Sequence, residues 1–187
     1  LYALSLLVFL LIRDDVVRFD PSRWATIFPI LAYGLLSGPL GEELGWRGFA
    51  LPRMLQRWNA LWSSLLLGLV WGAWHLPLFF WKIPGLSPPI PFINYLLSII
   101  AFAILITWAF RGTRGSLFVA VFFHLWVNSV ASYVAYLFPG LDPAGFTMIK
   151  NWLMVAAALG VVLFGGIRSP MQVDQGGQPL VRSEYSR

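Results

Sequence analysis

Cysteine is absent from the 187 residues of this chain, which excludes disulfides, thiolate metal sites and cysteine nucleophiles. Charge is scarce as well: Asp, Glu, Lys and Arg make up 11% of the residues, whereas a soluble domain usually carries about 25%. Apolar residues make up 58%, and the mean hydropathy is +0.72. A core of this length could not hide so much apolar surface from water, so we expect the chain to lie in a lipid bilayer.

Basic residues outnumber acidic ones by 13 to 8, but they are scattered through short connections and form no clustered stripe. Nucleic acid is therefore not an expected partner.

If the crossings alternate, the side that holds the C-terminus carries seven arginines and the opposite side four or five basic residues. An excess of Lys and Arg is typical of cytoplasmic loops. The bias predicts a protein integral to the cell membrane, with a cytoplasmic C-terminus. The seven are Arg53, Arg57, Arg111, Arg114, Arg168, Arg182 and Arg187.

Five apolar runs are long enough to cross a bilayer, which takes about 20 helical residues. They comprise residues 24–40 (continuing towards 49), 60–81, 92–110, 115–138 and 147–166. Residues 1–12 are apolar but too short to span, and we interpret them as the end of a truncated helix. The pattern predicts an all-α fold, a polytopic transmembrane helical bundle with about five full spans, in one domain over 1–167. Residues 168–187 are rich in Gly, Gln, Ser and Arg and predict a polar, disordered tail. No internal repeat is visible.

Two adjacent glutamates interrupt the first run, and ionisable groups at such positions are functional candidates. Neighbours on a helix point about 100° apart, so Glu42 and Glu43 cannot do the same job. Arg47 lies four residues after Glu43, on the same face and in the favourable acid-before-base order. We therefore predict a supporting ion pair between Glu43 and Arg47, which leaves Glu42 free to face the interior. Pro39 is expected to bend or restart the helix just before the glutamates.

Both histidines of the chain also lie in apolar runs. His75 follows an aromatic residue, Trp71, by one helical turn. His124 and Asn128 are four residues apart and should project from one face of their helix. Because the depths of these residues in their helices are comparable, we expect the two histidines and Asn128 to line one cavity with Glu42, facing away from lipid.

This set of groups suits hydrolysis. A carboxylate can take a proton from water, and an imidazole can share that role. A second imidazole and an amide can donate hydrogen bonds to an oxyanion. Two histidines and a glutamate can also hold a divalent metal such as zinc, with an open position for water. The metal ligands would then be Glu42, His75 and His124. The sequence does not choose between the two versions, and no H-E-x-x-H helix is present.

Three motifs follow one another on successive hydrophobic helices: Glu42-Glu43-x-x-x-Arg47, Trp71-x-x-x-His75 and His124-x-x-x-Asn128. Together they resemble the CPBP family, also called Abi, which comprises CAAX prenyl endopeptidases and bacteriocin-processing or bacteriocin-immunity proteins. The resemblance covers roughly residues 25–140. One departure is visible: the second motif usually begins with Phe, and here that position is Trp71.

The resemblance implies an all-helical intramembrane endopeptidase, either metal-dependent or glutamate-dependent. It implies that Glu42 and His75 activate water, and that His124 and Asn128 stabilise the oxyanion. The expected substrate is a membrane-associated protein or peptide, or a prenylated CAAX-type protein. Partners are thus the lipid bilayer and that substrate.

Other interpretations remain open. A single intramembrane His or Asn is often an interhelical hydrogen bond, and only the joint occurrence of the motifs favours a catalytic site. The chain could be a non-catalytic bacteriocin-immunity or membrane scaffold protein. A proton-coupled transporter could use Glu42 and the histidines as a relay, but it predicts internal repeats. Residues 48–59 are expected to form an interfacial connection at the mouth of a cavity that opens to the cytoplasmic face.

Overall fold

The computed structural model describes residues 1–12, 18–81, 87–164 and 166–167, and these residues form helices without any strand. The all-α prediction is therefore confirmed. The predicted tail, residues 168–187, lies outside the described residues. In chain order the helices are α1 (Tyr2–Ile12), a 3-10 helix (Pro21–Thr26), α2 (Ile27–Leu36), α3 (Pro39–Gly45), a π-helix (Trp46–Ala50), α4 (Leu51–Leu55), α5 (Ala60–Trp74), α6 (Pro77–Trp81), α7 (Phe92–Gly112), α8 (Leu117–Leu137) and α9 (Pro143–Phe164).

Five helical stretches of the described chain are long and apolar enough to cross a membrane. They are Pro21–Leu55, Ala60–Trp81, Phe92–Gly112, Leu117–Leu137 and Pro143–Phe164, and each contains most of one predicted run. The predicted start of the connection at residue 48 is wrong, because the π-helix and α4 continue the helical path to Leu55. The turn is confined to residues 56–59, where Asn59 caps α5 by accepting a hydrogen bond from the Trp62 amide at 3.0 Å.

Helices α5 and α7 pack closely because small residues of α5 face α7. A Cβ on Gly68 would lie only 2.8 Å from the Cα of Ile100, and one on Gly72 would overlap the side chain of Leu96. Small residues of this kind let two helix backbones approach within a membrane. The close contact fixes the position of α5, which carries Trp71 and ends just before His75.

The first span lies against α8. Gly34 of α2 faces Ser129, and a Cβ at this glycine would overlap the serine hydroxyl. Further along, the Tyr133 hydroxyl donates to the Trp24 carbonyl at 2.9 Å. These contacts align the first span with α8 and bring Glu43 of α3 beside His124.

Candidate active site

A break between α2 and α3 places the two glutamates. Gly38 adopts φ −170° and ψ −65°, and Pro39 is the first residue of α3, so the predicted restart at Pro39 is confirmed. A Cβ on Gly38 would lie 2.7 Å from Oε1 of Glu42. The absence of a side chain at position 38 therefore gives the Glu42 carboxylate the space it occupies.

Glu43 and Arg47 form a completely buried ion pair. Arg47 Nη1 donates to Glu43 Oε1 at 3.0 Å, and both side chains are 0% exposed. This confirms the pairing predicted from their spacing. The same carboxylate oxygen lies 2.8 Å from Nδ1 of His124. Because the carboxylate that pairs with Arg47 accepts, Nδ1 of His124 carries the hydrogen, and Nε2 is left for other partners.

The buried charge cluster retains unused hydrogen-bonding capacity. Within the described part of the chain, Glu43 Oε2 and the Nε and Nη2 atoms of Arg47 have no hydrogen-bond partner. Buried polar atoms of this kind are costly and are candidates for contact with water or substrate. The π-helix, which contains Arg47, follows α3 directly, and such segments are frequent at functional sites.

Trp71 lies at the centre of the candidate site and is 1% exposed. Its indole Nε1 donates a hydrogen bond of 2.7 Å to Oε2 of the half-buried Glu42. The guanidinium of Arg47 lies over the indole face at 4.7 Å, and the ring of His124 lies edge-on at 5.2 Å. One indole therefore contacts both halves of the cluster, the Glu42 carboxylate and the network around Glu43.

His75 caps the C-terminal end of α5, where Nδ1 donates to the Trp71 carbonyl at 2.9 Å. A carbonyl only accepts, so Nε2 is the nitrogen that remains. The half-buried imidazole is surrounded by aromatic rings, with the Trp74 centroid at 4.9 Å and the Tyr95 centroid at 5.5 Å. The contact with Tyr95 of α7 was not predicted, since nothing in its sequence position relates it to His75.

A cavity of about 570 Å³ opens beside Glu42. The other lining residues are mostly glycine, aromatic and aliphatic: Leu36, Ser37, Gly38, Gly41, Gly45, Trp46, Phe49, Ala50 and Trp74. Glu42 lines this cavity, whereas the two histidines and Asn128 are not among its lining residues. Of the four predicted catalytic residues, Glu42 is thus the one that lines this cavity.

The structure brings three of the four predicted catalytic side chains together and leaves the fourth apart. Glu42, His75 and His124 all surround Trp71. Asn128 is exposed on α8, and its backbone carbonyl accepts a hydrogen bond from the Ser132 hydroxyl at 3.4 Å. His124 and Asn128 are one turn apart, yet only the former reaches the buried cluster.

The expected metal ligands do not gather as a ligand set in this arrangement. Among the residues that the structure describes, no three His, Asp or Glu side chains are placed to share one ion. Nδ1 of His124 faces Glu43, and Nδ1 of His75 faces a carbonyl. In each histidine Nε2 is therefore the nitrogen left for another partner.

The fold and the site define a polytopic membrane protein with a buried cluster of glutamate, arginine and histidine. Residues 23–130 match the family described as type II CAAX prenyl endopeptidase, Rce1-like. The chain is 32% identical over 133 residues to CAAX prenyl protease 2 of Methanococcus maripaludis, an alignment that covers 67% of this chain and 49% of the relative. The chain therefore belongs to the Rce1-like type II CAAX prenyl endopeptidase family, and it spans about half the length of this curated relative.

Proposed function

We propose that this protein is an intramembrane endopeptidase that hydrolyses a peptide bond of a membrane-associated substrate, with prenylated CAAX-type proteins as the preferred class. Membership of the Rce1-like family supports a protease. The observation that carries the proposal is the division of labour between adjacent glutamates. Glu43 is engaged by Arg47 and His124, whereas Glu42 borders a cavity.

In the proposed reaction, Glu42 and His75 activate a water molecule that is bound beside Glu42. The water gives a proton to the Glu42 carboxylate, and its oxygen bonds to the carbonyl carbon of the substrate. The electrons of the carbonyl double bond move to its oxygen and form the oxyanion. When the oxyanion collapses, the carbon–nitrogen bond breaks, and the proton held by Glu42 passes to the leaving amine.

Two groups from α8 are proposed to bind the oxyanion. His124 has Nδ1 directed to Glu43, so Nε2 is the atom that it offers to a substrate. Asn128 lies one turn further on, and its exposed amide is accessible to a bound chain. Preorganised donors of this type stabilise the negative charge that develops in the transition state.

The lining of the cavity supports the choice of substrate. Trp46, Phe49 and Trp74 surround the space beside Glu42 and suit an apolar chain better than a hydrated one. The relative from Methanococcus maripaludis is described as a CAAX prenyl protease. A peptide that carries a prenyl group matches both observations.

A cleavage assay in proteoliposomes tests the proposal. The substrate is an internally quenched peptide that ends in a farnesylated CAAX sequence, and the same peptide without the farnesyl group is the control. We expect the parent to cleave the farnesylated peptide and Glu42→Gln to lose about 10²- to 10⁴-fold in rate. The metal content of the purified protein is measured, and the cleavage assay is repeated in the presence of a chelator.

Each outcome tests a different part of the proposal. Equal cleavage by the parent and Glu42→Gln would reject Glu42 as the base. A correctly folded parent that cleaves neither peptide would favour a non-catalytic immunity or scaffold protein. Cleavage of both peptides at the same rate would support an endopeptidase but reject a preference for prenylated substrates.

A further inference from the structure

We propose that Trp71 is a positioning residue for the reaction: its indole N–H fixes Oε2 of Glu42, so that Oε1 is the oxygen that receives the proton from water. The inference rests on the proposed function, in which Glu42 is the base. It assigns separate tasks to the two oxygens of one carboxylate and gives the tryptophan a task that a phenylalanine could not perform.

The geometry distinguishes the two carboxylate oxygens. Oε2 accepts the indole hydrogen bond at 2.7 Å. Oε1 lies above Gly38, only 2.7 Å from where a Cβ would be, and Gly38 lines the same cavity as Glu42. Because the indole engages Oε2, Oε1 is the oxygen left for another partner. Catalytic groups must be held close to their productive geometry by neighbours that are themselves fixed by packing.

Trp71 is itself held firmly. It is 1% exposed, it lies on the part of α5 that packs closely against α7, and Phe102 of α7 contacts its ring at 5.4 Å. Arg47 and His124 occupy two other sides of the indole. The donor is thus anchored by contacts that do not involve Glu42. This is the arrangement expected when one side chain positions another.

Core packing alone would account for a large aromatic residue at position 71. It would not require a nitrogen donor aimed at a carboxylate. Trp71→Phe keeps a buried aromatic ring and removes only the N–H and part of the ring. If Trp71 serves packing alone, Trp71→Phe should keep nearly the kcat of the parent. If Trp71 positions Glu42, the variant should have a lower kcat.

The first measurement tests the hydrogen bond without relying on activity. The ten indole N–H groups are labelled with ¹⁵N, and spectra are recorded from the full protein in detergent micelles. The Trp71 signal is identified by its loss in Trp71→Phe. We expect this signal to move upfield in Glu42→Leu, because the acceptor is gone, while the Trp62 signal stays in place. An unmoved Trp71 signal would overturn the proposal.

The second measurement tests the positioning role with the farnesylated CAAX peptide. We expect Trp71→Phe to lower kcat by about 10- to 100-fold with KM changed less than twofold, because a small misplacement of a catalytic group can cost about 10²-fold in rate. Gly38→Ala, which displaces Oε1 but leaves the indole intact, should lower kcat in the same way. Trp62→Phe is the matched control on α5, because Trp62 is 63% exposed, and its kcat should equal that of the parent.

The outcomes are distinguishable. A shifted Trp71 signal together with a reduced kcat supports the proposal. Trp71→Phe with the kcat of the parent overturns it, whatever the spectra show. A parent that cleaves no peptide rejects the proposed function, and the indole signal then still decides whether Trp71 holds Glu42.

Discussion

Glu43 and His124 are 81 positions apart in the chain, yet Oε1 of Glu43 lies 2.8 Å from Nδ1 of His124. The same oxygen accepts from Arg47, so one carboxylate ties together α3, the π-helix and α8. Glu43 and Arg47 are completely buried, and a buried charge requires such partners. In the proposed mechanism the two adjacent glutamates therefore have different tasks: Glu43 holds the site together, and Glu42 acts on water.

Removal of the Glu43 charge should destabilise the protein. Glu43→Gln strands Arg47 as an unpaired buried charge, and we expect a loss of about 3–5 kcal/mol in the free energy of unfolding. Glu42→Gln is the matched control, because Glu42 is half-buried beside a cavity and its variant should melt close to the parent. Thermal unfolding in detergent measures both. Equal melting of Glu43→Gln and the parent would reject the structural role of the pair.

The contact between α5 and α7 should not tolerate a larger residue at position 68. In Gly68→Ala the new methyl group would lie 2.8 Å from the Cα of Ile100, so the backbone must move, at a cost of about 1–3 kcal/mol. Gly160→Ala of α9 is the control, because a Cβ there meets no atom within 4 Å. Gly160→Ala should be neutral or up to about 1 kcal/mol stabilising, from helix propensity. Similar melting shifts in the two variants would contradict the close packing.

Asn128 should matter for rate and not for stability. Its side chain is exposed, so Asn128→Ala should melt like the parent. If its amide binds the oxyanion, kcat for the farnesylated peptide should fall by about 10²- to 10³-fold. Asn128→Ala with unchanged kcat would remove this residue from the proposed mechanism and leave His124 as the donor from α8.

The absence of cysteine permits a direct test of orientation. Gly45→Cys places one thiol in the cavity beside Glu42, at a position where a Cβ meets no atom within 4 Å. If the cavity opens to the cytoplasm, an impermeant thiol reagent added outside should label this thiol in inverted vesicles and not in right-side-out vesicles. Phe19→Cys, at the exposed end of the first span, should be labelled from the opposite side only. The reverse pattern would overturn the proposed orientation.

Much of the fold follows from local properties of the sequence. Five apolar runs predicted five helices, because length and hydropathy are sufficient to specify a helix that can cross a membrane. The ion pair of Glu43 with Arg47 and the restart at Pro39 were predictable as well, since both depend on spacing within one helix. The helical path to Leu55 was not predicted, because the basic and aromatic residues beyond position 48 also suit an interfacial connection.

Contacts between helices that are distant in sequence could not be predicted from local spacing. The spacing of Glu43 identified Arg47 as a partner but contained no signal for His124, which depends on how α3 and α8 pack. The indole of Trp71 was visible as a donor in the sequence, but its acceptor was not. The exposure of Asn128 was missed for the same reason. Helical spacing predicts the face of the helix on which a residue lies, but not which element packs against that face.

In the proposed mechanism, Glu42 and His75 act on the same water molecule. The most direct test compares kcat for the farnesylated CAAX peptide in Glu42→Gln, His75→Ala and the double variant. Residues that act as one unit have strongly non-additive effects on rate. We predict that the double variant is about as slow as the slower single variant. Losses that multiply in the double variant would show that the two side chains act independently, and would contradict a shared site.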